Sequence, residues 1–156
     1  MTYCIAAKLN SGLVFLSDSR TNAGVDDISL ARKMIIFKRE NEKLFVLLCA
    51  GNLAVTQSVK ALLTDTKASK QLSSVTSMYQ VAEIVGNCIR AVKKRDGQAL
   101  DREGVEFNCS FLLGGKMLDE KVRLFKLYSA GNFIEAEGNS LYFLNWRDKI
   151  RKANSG

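Results

Sequence analysis

The order of elements predicts an α+β fold, with antiparallel sheet packed on helices. Three observations carry that reading. Short apolar runs bounded by turn residues fill the first fifty positions, two helical periodicities follow, and two further strand-like runs come after them. Strands in blocks on either side of a helical pair argue against the strict alternation of a parallel-sheet fold. Thr2 to Leu9 alternates polar and apolar residues, Asn10-Ser11-Gly12 supplies a tight turn, and Leu13 to Leu16 resumes an apolar run, so a β-hairpin opens the chain. Ser17 to Gly24 is polar and reads as a connection. Met34 to Phe37 and Leu44 to Cys49 are the next strands, separated by the polar turn Arg39 to Glu42. Gly51 opens a helix on which Val55, Val59, Leu62 and Leu63 recur at helical spacing. Residues 64–76, rich in Ser, Thr and Lys, read as a loop. Ser77 with Gln80 three positions on has the form of a capping box, and the apolar stripe from Met78 to Val92 marks a longer helix that Gly97 ends. Strands at Glu106 to Leu113, closed by Gly114-Gly115, and at Val122 to Tyr128, closed by Ala130-Gly131, complete the order.

Composition narrows the chemistry. The chain has 156 residues, no His, no Pro, four Cys and a formal net charge of +7. Without an imidazole, a Ser-His-Asp or Cys-His nucleophile is excluded and most zinc sites are weakened. One domain is expected at this length, with enough chain to bury a real core. No apolar run approaches the roughly 20 residues that span a bilayer, and no basic region followed by an apolar stretch marks the N-terminus, so a cytoplasmic location is expected. Cys4, Cys49, Cys88 and Cys109 form no CxxC pair and are expected as buried thiols.

With His absent, Thr2 becomes informative, because removal of Met1 before a small residue exposes it as the chain start. An N-terminal Thr carries its own base: the hydroxyl is the nucleophile and the α-amine of the same residue takes its proton. An α-amino pKa of roughly 7.7–8.0 leaves a substantial free-base fraction near neutral pH, whereas a lysine at about 10.4 leaves on the order of 0.1%. A neighbouring Lys would therefore act as a cation. Taken singly, Asp18-Ser19-Arg20 is a polar turn, Lys33 a surface charge and Ala50-Gly51 a strand-to-helix junction.

Taken in order, these segments resemble the β-type subunits of the proteasome, within the N-terminal nucleophile hydrolases, and most closely the bacterial ancestral-beta-subunit family, Anbu. The resemblance rests on Thr2-Tyr3-Cys4-Ile5-Ala6, Ser17-Asp18-Ser19-Arg20-Thr21-Asn22-Ala23-Gly24, Arg32-Lys33-Met34, Ala50-Gly51-Asn52-Leu53-Ala54 and Ala130-Gly131-Asn132-Phe133-Ile134-Glu135-Ala136. It implies an αββα four-layer sandwich, incomplete at the C-terminus. It also implies a threonine-type peptidase or amidohydrolase with Thr2 as nucleophile, Lys33 as the cation that favours its reactive form and Asp18 as the carboxylate that holds Lys33. Gly51 would offer its backbone N–H to the oxyanion, and Arg20 and Asn22 would flank an extended peptide substrate. Asn22 stands where the wider proteasome family commonly has Thr. Self-association into a ring or open ring is implied; no metal or organic cofactor is.

The resemblance covers residues 2–143, expected as a partial proteasome β-subunit-like domain. Residues 144–156 differ in style, with the lone Trp146 and four Lys or Arg against one Asp. Permissible codons for Asn145 to Gly156 read, in a neighbouring frame, like the family continuation Ile-Gly-Glu-Thr-Lys-Tyr-Gly-Lys-Pro-Ile-Leu, so an aberrant basic tail from a frameshift at or near codon 144 is expected. Loss of the family's last third would remove supporting Ser and Asp groups and leave apolar faces uncovered, making 1–156 alone poorly soluble or inactive. Two alternatives to an enzyme follow: a ring-assembling structural subunit with a silent site, or a nucleic-acid binder using the basic tail. The second ranks last, because no aromatic and basic residues interleave on the strands, and neither nucleic acid nor membrane is an expected partner.

Overall fold

The structure is a computed structural model that describes residues 3–22, 28–30, 32–40 and 42–145, with the backbone alone at 20–22, 28–30 and 145. In chain order the described elements are β1 (Tyr3–Leu9), β2 (Gly12–Ser17), β3 (Arg20–Asn22), β4 (Ile28–Leu30), β5 (Met34–Arg39), β6 (Lys43–Gly51), α1 (Leu53–Thr64), α2 (Thr66–Ser74), α3 (Met78–Arg102), β7 (Cys109–Met117), β8 (Arg123–Leu127), β9 (Phe133–Glu135) and β10 (Ser140–Asn145). They form a five-stranded sheet ordered β5-β6-β7-β8-β9, a three-stranded sheet ordered β10-β1-β2 and a two-stranded β3-β4 ribbon. Every pairing is antiparallel.

The five-stranded sheet is covered on both faces, which is why β6 and β7 read as apolar runs instead of alternating. Phe45, Leu47, Cys49, Cys109, Phe111 and Leu113 face the helices and pack with Val55, Val59, Val81, Val85 and Ile89. The intervening Leu48, Ala50 and Leu112 face the other way and meet Cys4, Ala6 and Leu144 of the three-stranded sheet. Period-two alternation thus divides one strand between two cores. No helix of the described residues is long and apolar enough to cross a membrane.

One helical layer and two sheets are present, three of the four layers of an αββα sandwich. The outer face of the three-stranded sheet has no layer over it among the described residues. Ile5 there is flanked by Leu16 on β2 and Phe143 on β10, and Ala7 by Val14 and Leu141. Leu16 is 61% exposed and Phe143 54%.

Four expectations need correction. Residues 64–76 are not simply a loop, for α2 occupies most of them: Ala68 and Leu72, four apart, are buried in the core, and Lys43 Nζ donates to the carbonyls of Leu72, Ser73 and Val75 at 3.2, 2.9 and 3.1 Å, closing the helix end. The long helix does not end at Gly97, which is buried inside α3; the turn comes at Gly104, φ +68°. Gly114-Gly115 do not close a strand, since β7 runs through both. A Cβ at Gly114 would meet the Phe15 ring of the other sheet at 2.6 Å and one at Gly115 the Leu44 carbonyl of neighbouring β6 at 2.3 Å, so Gly114 permits close approach between the sheets and Gly115 within its own. Ser17 to Gly24 is not wholly a connection, since β3 lies within it. The short β4, β9 and β10 were also not expected. β10 crosses position 143 and runs to Asn145, with Leu144 buried; residues 146–156 of the expected tail lie outside the described residues.

Candidate active site

The start of β1 is tied to the end of β2 by a reciprocal pair of bonds. Tyr3 N–H donates to Asp18 Oδ1 at 3.1 Å, and Asp18 N–H donates to the Tyr3 carbonyl at 3.1 Å. Asp18 Oδ1 also accepts from Lys33 Nζ at 2.8 Å. Lys33 is 5% exposed and the Asp18 side chain 30%, so the cation is the buried member and the carboxylate its link to solvent. The pair closes the base of the excursion from 18 to 33 that holds the β3-β4 ribbon. Arg20 lies on that ribbon opposite Leu30, and Asn22 opposite Ile28. Their side chains, and Thr2 as a whole, lie outside the described residues, although Thr2 directly precedes the anchored Tyr3.

Lys33 is held by its backbone too. Cys49 N–H donates to the Lys33 carbonyl at 2.9 Å, so odd-numbered residues of β6 turn their N–H groups toward β5. The even side faces β7, as the bond from Asn52 N–H to the Asn108 carbonyl at 2.9 Å confirms. Gly51, two residues past Cys49, therefore aims its N–H to the Lys33 side, beyond the end of β5. The position requires glycine: φ is +122°, and a Cβ would stand 2.5 Å from the Asn108 carbonyl oxygen. Asn52 then caps α1, its Oδ1 accepting from Ala54 and Val55 N–H at 2.9 and 3.3 Å.

Two thiols sit beneath this arrangement. Cys4 Sγ donates to the Cys49 carbonyl at 3.6 Å. Burial pushes the Cys4 thiol up to about 12, reinforced by Cys49 and Asp18 and opposed by Lys33 and Lys60. Burial also raises Cys49 and Cys88, and takes Cys109 up to about 12. All four cysteines are free and buried. Such thiols are poor nucleophiles, as a buried cysteine in apolar surroundings should be.

The structure therefore brings Asp18 and Lys33 into contact next to the residue that follows Thr2, with Gly51 on the strand that grips Lys33. It also adds a residue that sequence reading missed. Lys60, on α1, donates from its ammonium to the Arg32 carbonyl, and its charge opposes the upward effect of burial on the Cys49 thiol. Nothing local signals this contact, because it joins positions 28 residues apart.

Comparison with solved structures finds Anbu proteins among the matches to this fold. The chain superposes on Anbu (ancestral beta-subunit) from Yersinia bercovieri with a TM-score of 0.81 at 43% identity, over 94% of this chain and 61% of that one. It superposes on an Anbu (Gly-1) mutant from Hyphomicrobium sp. strain MC1 with a TM-score of 0.83 at 37% identity, over 95% of this chain and 62% of that one. Against the helical assembly of the Anbu complex from Pseudomonas aeruginosa the values are 0.81 and 34%, over 98% and 64%. The chain thus spans a little over three-fifths of the length of these solved relatives. No protein-family model matches it, and no match was found among curated proteins. Sequence identity of this order, sustained over nearly the whole chain on a shared backbone, makes this protein a member of the ancestral beta-subunit (Anbu) family, relatives of the proteasome subunits.

Proposed function

We propose that the chain is a threonine-type hydrolase subunit whose nucleophile is Thr2, exposed by removal of Met1. The observation that carries the reading is the buried Lys33–Asp18 pair, bonded through Asp18 to the backbone of Tyr3, the residue next to Thr2. A buried ammonium held charged by a carboxylate lowers the proton affinity of a neighbouring amine and hydroxyl. The α-amine of Thr2 takes the hydroxyl proton as Oγ adds to a peptide carbonyl, and the developing oxyanion accepts from Gly51 N–H. The protonated amine then gives its proton to the leaving amine, and water hydrolyses the resulting ester. Arg20 and Asn22, on a ribbon hinged at the same ion pair, would flank the extended substrate.

The test is covalent labelling. A β-lactone electrophile should add one equivalent to the protein purified from its natural gene, located by mass to Thr2, and Thr2→Ala should take none. Equal labelling or hydrolysis by Thr2→Ala refutes the assignment. The intact mass measured in the same experiment reports both removal of Met1 and the full length of the chain. We further propose that the subunit works in the cytoplasm in a self-assembled ring or open ring, a reading supported by the helical assembly of the P. aeruginosa relative. Sedimentation as a single-subunit species across working concentrations would refute assembly. A second reading, a structural subunit with a silent site, draws on the outer face of the β10-β1-β2 sheet, which no layer covers among the described residues; assembly without any Thr2 labelling would select it.

A further inference from the structure

Lys33 enters the site from a stretch with little sheet support. β4 ends at Leu30, β5 begins at Met34, and Arg32 between them is exposed. Two bonds grip the peptides on either side of Lys33. The carbonyl on its C-terminal side accepts from Cys49 N–H at 2.9 Å, an extension of the sheet ladder. The carbonyl on its N-terminal side, that of Arg32, accepts from the ammonium of Lys60, reaching across from α1. We propose that Lys60 is a positioning residue for the site, clamping the Arg32–Lys33 peptide so that Lys33 meets Asp18 beside the chain start. The proposal rests on Thr2 being the nucleophile.

Lys60 brings charge as well as a donor. Among the described residues no carboxylate lies within ion-pair distance of it, whereas Lys33 is paired with Asp18 at 2.8 Å. Among the described residues, the groups that act on or bond this pair of lysines are the Cys4 thiol of β1, Asp18 after β2, the Cys49 thiol of β6 and the backbone carbonyl of Arg32 before β5. Farther along the helical layer, Arg95 of α3 bonds Ser58 of α1 and is itself paired with Asp96. The charge of Lys60 reaches into the site, drawing the Cys4 and Cys49 thiols down against the stronger upward effect of burial. An ammonium disfavours protonation of an amine near it, and on the proposed assignment the Thr2 amine is the group this charge would act on. Lys60 therefore acts in the same direction as Lys33 while standing outside the reacting groups.

The experiment follows the rate of Thr2 labelling by a β-lactone from about pH 5.5 to 9, read by intact mass, on wild-type protein, Lys60→Met and Lys60→Arg, with Thr2→Ala as control. Lys60→Met should label about tenfold more slowly at neutral pH, with its acid limb displaced to higher pH, and Lys60→Arg should restore both rate and limb. The thermal midpoint reports whether the Met variant is folded; if it is not, Lys60→Gln takes its place, with the same slow rate and displaced limb expected. Wild-type rate and pH profile in the uncharged variant overturn the proposal. So does a slow rate with an unmoved acid limb, the signature of a purely structural role. Wild-type protein that labels no more than Thr2→Ala overturns the nucleophile assignment and this proposal with it. Labelled wild type with an indifferent Lys60 variant overturns the proposal alone.

Discussion

The Lys33–Asp18 pair makes an asymmetric prediction, because its two members are unequally buried. Asp18→Asn leaves a 5%-exposed ammonium facing a neutral amide. Removing one partner of a buried pair costs about 3–5 kcal/mol, and the remaining Asn carbonyl, still able to accept from Lys33 or Tyr3, reduces this to about 2–3. Lys33→Met leaves a carboxylate that is 30% exposed and still bonded to Tyr3 N–H at 3.1 Å, while the Met side chain fills the buried stem position. That loss should be about 1 kcal/mol, since water takes up the partly exposed charge. The ordering is the prediction: Asp18→Asn more destabilising than Lys33→Met by at least about 1 kcal/mol. Equilibrium urea unfolding at neutral pH measures it, provided the slope with denaturant is common to both variants. A Lys33→Met variant as unstable as Asp18→Asn, or more so, would show that the exposure difference does not govern the pair.

Gly86 of α3 touches the turn before β9, where an added Cβ would stand 2.3 Å from the Gly131 carbonyl oxygen; Gly86→Ala should cost about 1–3 kcal/mol by thermal or urea unfolding, and a neutral result would mean that the helix shifts freely. Glu135 accepts from Arg123 Nε and Nη2 at 2.6 and 2.8 Å, and this bonding holds its carboxyl below the ordinary value of 4.5. A depressed carboxylate contributes stability above its unfolded pKa that is lost as pH falls through the folded value, so part of the stability lost on acidification below about pH 4.5 should disappear in Glu135→Gln. All four thiols should resist iodoacetamide at pH 8 in the native protein and react after unfolding, since burial raises them; rapid native alkylation of Cys4 would contradict its 1% exposure. On the outer face of the three-stranded sheet, Leu16→Thr with Phe143→Thr should raise the soluble yield of the 156-residue chain and lower its binding of an apolar dye, and no change would mean that the face is already covered.

Much of the fold was legible because its signals are local. The capping box at Ser77 and Gln80 is present as expected, and the stripe from Met78 to Val92 is buried along α3. The hairpin turn at Asn10-Ser11 and the apolar runs of β5 and β6 also matched their sequence patterns. The short elements escaped notice for a common reason. α2 is polar in composition and is held by two buried residues and by Lys43, which lies more than twenty residues before it. β10 is specified by pairing with β1, from which it is separated by most of the chain. In the site, the segments containing Asp18, Lys33 and Gly51 could be picked out together, but Lys60 could not. It sits on a helix where a lysine at that spacing reads as a solvated face.

The amino-acid sequence by itself determined the class of chemistry open to this protein, since a chain without His must find its base elsewhere. It also determined most elements, because helical and strand periodicities are written in neighbouring residues. Only the tertiary structure decided which charges meet. The bond from Lys33 to Asp18 closes an excursion of fifteen residues, and that from Lys60 to Arg32 joins a helix to a segment before a strand. Such contacts depend on how sheets and helices stack, and local propensity carries no record of that.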